Sequence, residues 1–97
     1  DRTSGPRPVV RVEGAVDQVG AELLRIRLLE ASHGGTTRVE LDLTGVTVFT
    51  SAGVRVALAI ARIARDEHWR LVVHAPEGGV TRHILQISGL AGLVDLL

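Results

Sequence analysis

Residues 49–54 read Phe-Thr-Ser-Ala-Gly-Val and place two adjacent hydroxyls between an apolar run and a long stretch of Val, Ala, Leu and Ile. A hydroxyl at such a joint can do two things. Ser51, at the expected N-cap of a helix, can accept a hydrogen bond from a first-turn N–H, stabilising by about 1 kcal/mol over Ala. Thr50 can take that role instead. Alternatively, Ser51 is a group that another protein modifies. Phosphorylation would add about −1.5 to −2 charges at pH 7, which a helix N-terminus favours by about 0.3–1 kcal/mol. Inside a protein interface, an unpaired anion costs several kcal/mol, and each ~1.4 kcal/mol is tenfold in affinity. A modification at this joint would therefore switch binding while leaving the fold intact. Gly53 lets a partner approach closely. Arg55, one turn after Ser51, either lies in solvent or meets a phosphate or acidic partner.

Other chemistries fit poorly. A nucleophile elbow requires G-x-S-x-G, and position 49 is Phe. His33, His68, His74 and His83 lack the three-to-five-residue spacing of a metal pair, so they read as surface or strand-end residues. Gly34-Gly35 and Gly78-Gly79 are turn pairs without the lysine and hydroxyl of a phosphate-cradling loop. Neither a metal nor any other cofactor is expected, and the chain reads as a non-enzyme.

The elements that must position Ser51 follow from composition and periodicity. Ninety-seven residues make one domain with a modest core. There is no cysteine and the formal net charge is zero, which removes disulfides, thiolate metal sites and the basic bias of a direct nucleic-acid binder. All eleven cations are Arg, a pattern that codon bias in a GC-rich bacterial genome would produce. Phe49 and Trp69 are the only aromatics, so the core must be aliphatic. No apolar run approaches the ~20 residues of a membrane span, and a soluble cytoplasmic domain is expected.

Residues 1–7 read as a tail or linker remnant and residues 8–97 as the domain. A strand over Pro8–Val12 precedes a helix from Gln18 to Ser32, capped by Asp17 and stopped by His33-Gly34-Gly35. Its apolar stripe is read as Val19, Leu23 and Ile26, with Leu24, Leu28 and Ala31 beside it. Glu22–Arg25 and Arg27–Glu30 are spaced for ion pairs. Arg38–Leu43 alternates as a strand, Thr44-Gly45 turns, and Val46–Phe49 is a short extended piece. A second helix covers Ala52–His68, with Val54, Ala57, Leu58, Ala61 and Ala64 inward. Arg70–His74 is a strand and Gly78–Ser88 a third helix with Val80, Ile84 and Ile87 as its apolar face. Gly89 suits a left-handed cap, and Leu93–Leu97 is a last short strand. The expected fold class is α/β: a mostly parallel sheet of about four strands packed against about three helices.

Residues 39–53, VELDLTGVTVFTSAG, resemble the core of a STAS domain, the family of bacterial anti-sigma factor antagonists, where L-D-L-S leads into D-S-x-G. Val12–Asp17 is similar to the family's G-x-L-D stretch before the first helix, and Val80–Leu90 to its third helix. The likeness covers most of residues 9–97. It implies that Ser51 is the phosphoacceptor of a partner anti-sigma factor that is itself a serine kinase. Unphosphorylated antagonist binds that partner and frees the sigma factor for transcription; phosphorylated antagonist lets go. Docking is then expected over Thr50, Ser51, Ala52, Gly53, Val54 and Arg55. One departure bears on this. Thr50 stands where the family usually has Asp, so the charge beside the acceptor is missing and Thr50 becomes a second candidate acceptor. An alternative is a STAS-type scaffold or transporter-associated module without phosphorylation switching. The family commonly adds an N-terminal strand and a final helix, so part of the sheet or an apolar flank is expected to be uncovered. A homodimer, or membership of a larger multidomain protein, stays open.

Overall fold

A computed structural model describes residues 8–33 and 37–97. The tail over residues 1–7 and the Gly34-Gly35 turn lie outside the described residues. In chain order the elements are β1 (Val9–Val16), α1 (Gln18–Ala31), β2 (Arg38–Phe49), α2 (Ser51–Glu67), β3 (Arg70–His74), α3 (Val80–Ile87), a 3₁₀ turn (Leu90–Gly92) and β4 (Asp95–Leu96). The four strands form one sheet in the order β1-β2-β3-β4, and every pairing is parallel. Parallel strands need crossovers, and each helix supplies one. The α/β class and the alternation agree with the pattern of apolar runs.

The two faces of the sheet differ in chemistry. Val10, Leu41 and Val73 are register neighbours and join Leu24, Leu28, Ile60, Ala61 and Leu85 in a single buried cluster. The opposite face carries ion pairs: Arg11–Asp42 at 3.2 Å, Arg38–Glu40 at 3.3 Å, His74–Glu40 at 2.8 Å and Arg70–Asp95 at 3.0 Å. Alternation along β2 produces this division, since Val39, Leu41 and Leu43 are buried while the residues between them are not.

Four expectations need correction. Thr44-Gly45 does not turn the chain; β2 runs straight through to Phe49. Gly45 sits against β1 where the register shifts between Arg11 and Glu13, and a Cβ there would lie 2.9 Å from the Glu13 Cγ. The glycine thus admits a close strand neighbour rather than a turn. On α1 the buried residues are Ala21, Leu24 and Leu28, whereas Val19, Leu23 and Ile26 are exposed, Val19 to 71%. On α3 the inward residues are Thr81 and Leu85, while Val80 and Ile87 are exposed. Of the two expected ion pairs on α1, Glu22–Arg25 closes, and among the described residues Arg27 and Glu30 form none.

α2 follows its pattern more closely. Ala57, Ala61 and Ala64 are buried as expected, joined by Gly53 and Ile60, with Val54 and Leu58 half-buried. Arg55, Arg62, Arg65 and Asp66 are exposed. Small side chains along this face let the helix lie close over the sheet. Gly89 adopts φ +82°, as a left-handed cap requires.

Candidate functional site

Ser51 stands at the end of β2, where the sheet hands the chain to α2. The strand holds the joint in place from its neighbour: the Thr50 N–H donates to the Val16 carbonyl at 3.1 Å, extending the β1–β2 pairing one residue past Phe49. The Thr50 hydroxyl donates to the same carbonyl at 2.6 Å. Thr50 occupies the N-cap position in an extended conformation, but its hydroxyl makes no cap bond. The expectation that Ser51 is the N-cap is therefore corrected by one residue. Ser51 is the first residue inside the helix.

This shift changes the chemistry available. Among the described residues no side-chain oxygen accepts from the first-turn N–H groups of α2, and no acidic residue sits in that turn. The positive end of the helix is left unneutralised beside an exposed serine. Among the described residues, no side chain or backbone group bonds the Ser51 hydroxyl. The hydroxyl is open to solvent, and an anion placed there would meet free N–H donors within the same turn.

The neighbouring residues separate into those facing out and one facing in. Arg55 is exposed one turn further along, and Thr50, Ala52 and Val54 are half-buried. Gly53 is buried: a Cβ there would come within 2.9 Å of Val16 Cγ1 and 3.0 Å of the Phe49 ring. Its part is to let α2 sit down on β1 and β2, which sets the height at which Ser51 is presented.

Two features of this end escaped the sequence reading. Val48 is half-exposed three residues before Ser51, an apolar side chain left open on the last stretch of β2. An exposed valine in a strand is invisible to periodicity once the strand is taken to break at Gly45. Asp17 follows Val16, whose register partner is Phe49, so its carboxylate stands at the same end of the sheet as Thr50. The sequence identified Asp17 as a cap, and its Oδ1 does accept from Gly20 N at 2.9 Å.

Asp42, mid-strand on the polar face, accepts from the Thr44 hydroxyl at 2.7 Å and the Thr44 N–H at 3.0 Å. Those two bonds, with Arg11 alongside, hold its carboxyl below the ordinary range for an aspartate. It is a local brace rather than a part of the Ser51 ledge. His74 is engaged by Glu40. Among the described residues no three His, Asp or Glu side chains converge as metal ligands, and no helix is long and apolar enough to cross a membrane.

A four-stranded parallel α/β domain with an exposed hydroxyl at the start of its second helix is thus the class of protein that fold and site define. Comparison with known proteins gives the family. The family model described as "Mlab, STAS domain" matches residues 1–95. A putative anti-sigma factor antagonist, BtrV of Bordetella bronchiseptica, is 33% identical over 82 residues, covering 84% of this chain and 70% of that protein. The chain belongs to the STAS domain, anti-sigma factor antagonist family. Among solved structures, the fold is similar to unphosphorylated SpoIIAA, an anti-sigma factor antagonist, with a TM-score of 0.70 and 20% identity over 92% of this chain and 76% of that one. It is equally similar to the Bacillus cell fate determinant SpoIIAA in its phosphorylated form, with a TM-score of 0.69 and 23% identity over 92% and 80% of the two chains.

Proposed function

We propose that this chain is a non-catalytic anti-sigma factor antagonist, docking an anti-sigma factor kinase and released from it by phosphorylation of Ser51. The observation that carries the reading is the position of Ser51: exposed, unbonded and first in a helix whose N–H groups are uncapped. In the proposed step the Ser51 oxygen attacks the γ-phosphorus of ATP bound to the kinase. The bond to the β-phosphate oxygen breaks, ADP leaves, and the hydroxyl proton passes to a base of the kinase. Thr50, Ala52, Val54 and Arg55 form the docking surface around the acceptor, with Gly53 beneath them. Competition for the kinase then frees the sigma factor, which regulates transcription.

Thr50 is the less suitable acceptor because its hydroxyl is already committed to Val16. The same observation favours a second reading, in which the domain is a STAS-type scaffold or transporter-associated module. There the threonine locks the joint and no carboxylate assists a kinase. The relation to an anti-sigma factor antagonist over 84% of the chain supports the first reading over the second.

Incubation with ATP and candidate anti-sigma factor kinases, followed by mapping of the modified residue, tests the proposal. The expected product carries one phosphate on Ser51 and none in Ser51→Ala. Phosphorylation elsewhere with Ser51 untouched contradicts it. Neighbouring genes for a small ATPase-fold kinase and a sigma factor would accompany the first reading, transporter genes the second.

A further inference from the structure

β1 closes one side of the sheet and, among the described residues, has no strand beyond it. It is eight residues long, where β4 on the far side has two. Its main chain alternates between the two sides. The Pro8 carbonyl accepts from the Glu40 N–H at 2.9 Å and the Val16 carbonyl from the Thr50 N–H at 3.1 Å, so the even-numbered residues turn toward β2. Val9, Arg11, Glu13 and Ala15 therefore direct their N–H and C=O groups to the open edge, and all four are exposed. An edge of this length with free main-chain groups is a template for one more strand.

The side chains along this edge match a second copy of the same strand. An antiparallel pairing about a two-fold axis through Val12 sets Arg11 against Glu13 of the second copy, Glu13 against its Arg11, Val9 against its Ala15 and Val12 against its Val12. The main-chain groups of Arg11 and Glu13 both face the edge, so each such pair is also a hydrogen-bonded one. Sliding by two residues, the smallest step the alternation allows, sets Arg11 against Arg11 or Glu13 against Glu13, and like charges directly opposite are destabilising. Both groups have capacity left. Arg11 gives only its Nε to Asp42, at 3.2 Å, and no ion pair reaches Glu13 among the described residues. The two Arg11–Glu13 crossings lie ahead of the bend at Gly14, where φ is +79°. Pairing of this kind uses up the edge on both copies, so assembly stops at two.

We propose that β1 is the seam of a two-fold dimer: two copies pair antiparallel along residues 9–15, joining their four-stranded sheets into one, with Arg11 and Glu13 crossing reciprocally to fix the register. The seam does not rest on the Ser51 reading. Sedimentation velocity over a concentration series tests it with wild type, Arg11→Glu and Glu13→Arg. Wild type is expected to pass reversibly from monomer to dimer. Each single variant puts like charges at both crossings and should associate about tenfold more weakly or worse. An equimolar mixture of the two variants restores opposite charges at both crossings, so a mixed dimer should return. That recovery separates a broken seam from a misfolded chain, which mixing does not repair. Wild type that stays monomeric, or a mixture that fails to associate, would overturn the proposal. So would a dimer that persists in either variant alone, which would place the contact on another face, such as the exposed Val19, Leu23 and Ile26 of α1.

Discussion

The two long helices of this domain begin in opposite ways. At the start of α1, Asp17 reaches forward and its carboxylate takes the Gly20 N–H at 2.9 Å, the ordinary solution to a helix end. At the start of α2, the residue in the same position, Thr50, turns its hydroxyl backward onto Val16 and leaves the first turn uncapped. A side-chain cap is worth about 1 kcal/mol, so α2 forgoes a stabilisation that α1 takes. Thr50 is chemically able to cap; its hydroxyl is spent on fixing the end of β2 to the end of β1. The helix end that is left open is the one carrying an exposed serine. On the function proposed above, that contrast separates a start that only builds the fold from one that also presents a group to a partner.

Four substitutions break or sharpen the contrast. The largest loss of stability is expected from Gly53→Val, because its side chain would have to enter the space held by Val16 and the Phe49 ring. The cost should be about 1–3 kcal/mol in denaturant unfolding, and partner binding should fall with it as the ledge lifts. Asp17→Ala should cost about 1 kcal/mol and speed exchange of the Gly20 amide. Thr50→Val keeps the shape and removes only the hydroxyl, so about 0.5–1.5 kcal/mol is expected. Its test is local: exchange of the first-turn amides of α2 should not change, since Thr50 does not cap them. An increase there would show that the helix start is capped after all. Ser51→Ala should change stability least among these, by under ~0.5 kcal/mol.

The polar face of the sheet gives a prediction in pH. Asp42 has its carboxyl lowered by the Thr44 hydroxyl, the Thr44 N–H and Arg11. A carboxylate lowered in the folded state contributes stability above its unfolded value and loses it as pH falls through the folded value. Asp42→Asn should therefore be less stable than wild type near neutrality, with the gap closing in the acid range below that of a free aspartate. The effect is small because Thr44, which lowers the carboxyl most, and Arg11 are both exposed to solvent. A gap that widens on acidification would contradict the assigned bonding.

Much of this was legible in the chain, and what was not has physical reasons. β3 is found at the expected Arg70–His74, and Asp17 caps as its position before an apolar-periodic stretch suggests. The inward stripe of α1 was misread because Val19, Ala21, Leu23, Leu24, Ile26 and Leu28 put apolar groups on more than one side of the helix. Periodicity cannot choose among faces that are all apolar; only the sheet and α2 decide. On α3 the same ambiguity hid Thr81 and Leu85 behind Val80 and Ile87. At the candidate site, Thr50 and Ser51 are both good caps by type. What distinguishes them is the Val16 carbonyl, thirty-four positions away in sequence, which no local pattern contains. Gly53 was read as room for a partner, and the room is used by the molecule's own Val16 and Phe49.

The central claim is that negative charge on Ser51 changes who binds without changing how the chain folds. Calorimetric titration of the cognate anti-sigma factor kinase with unmodified and Ser51-phosphorylated protein measures it most directly, alongside thermal unfolding of both forms. An affinity loss of about a hundredfold or more, corresponding to ~2.7 kcal/mol, with nearly unchanged unfolding temperature is the predicted result. Equal affinities, or a loss that comes with melting of the domain, would contradict it.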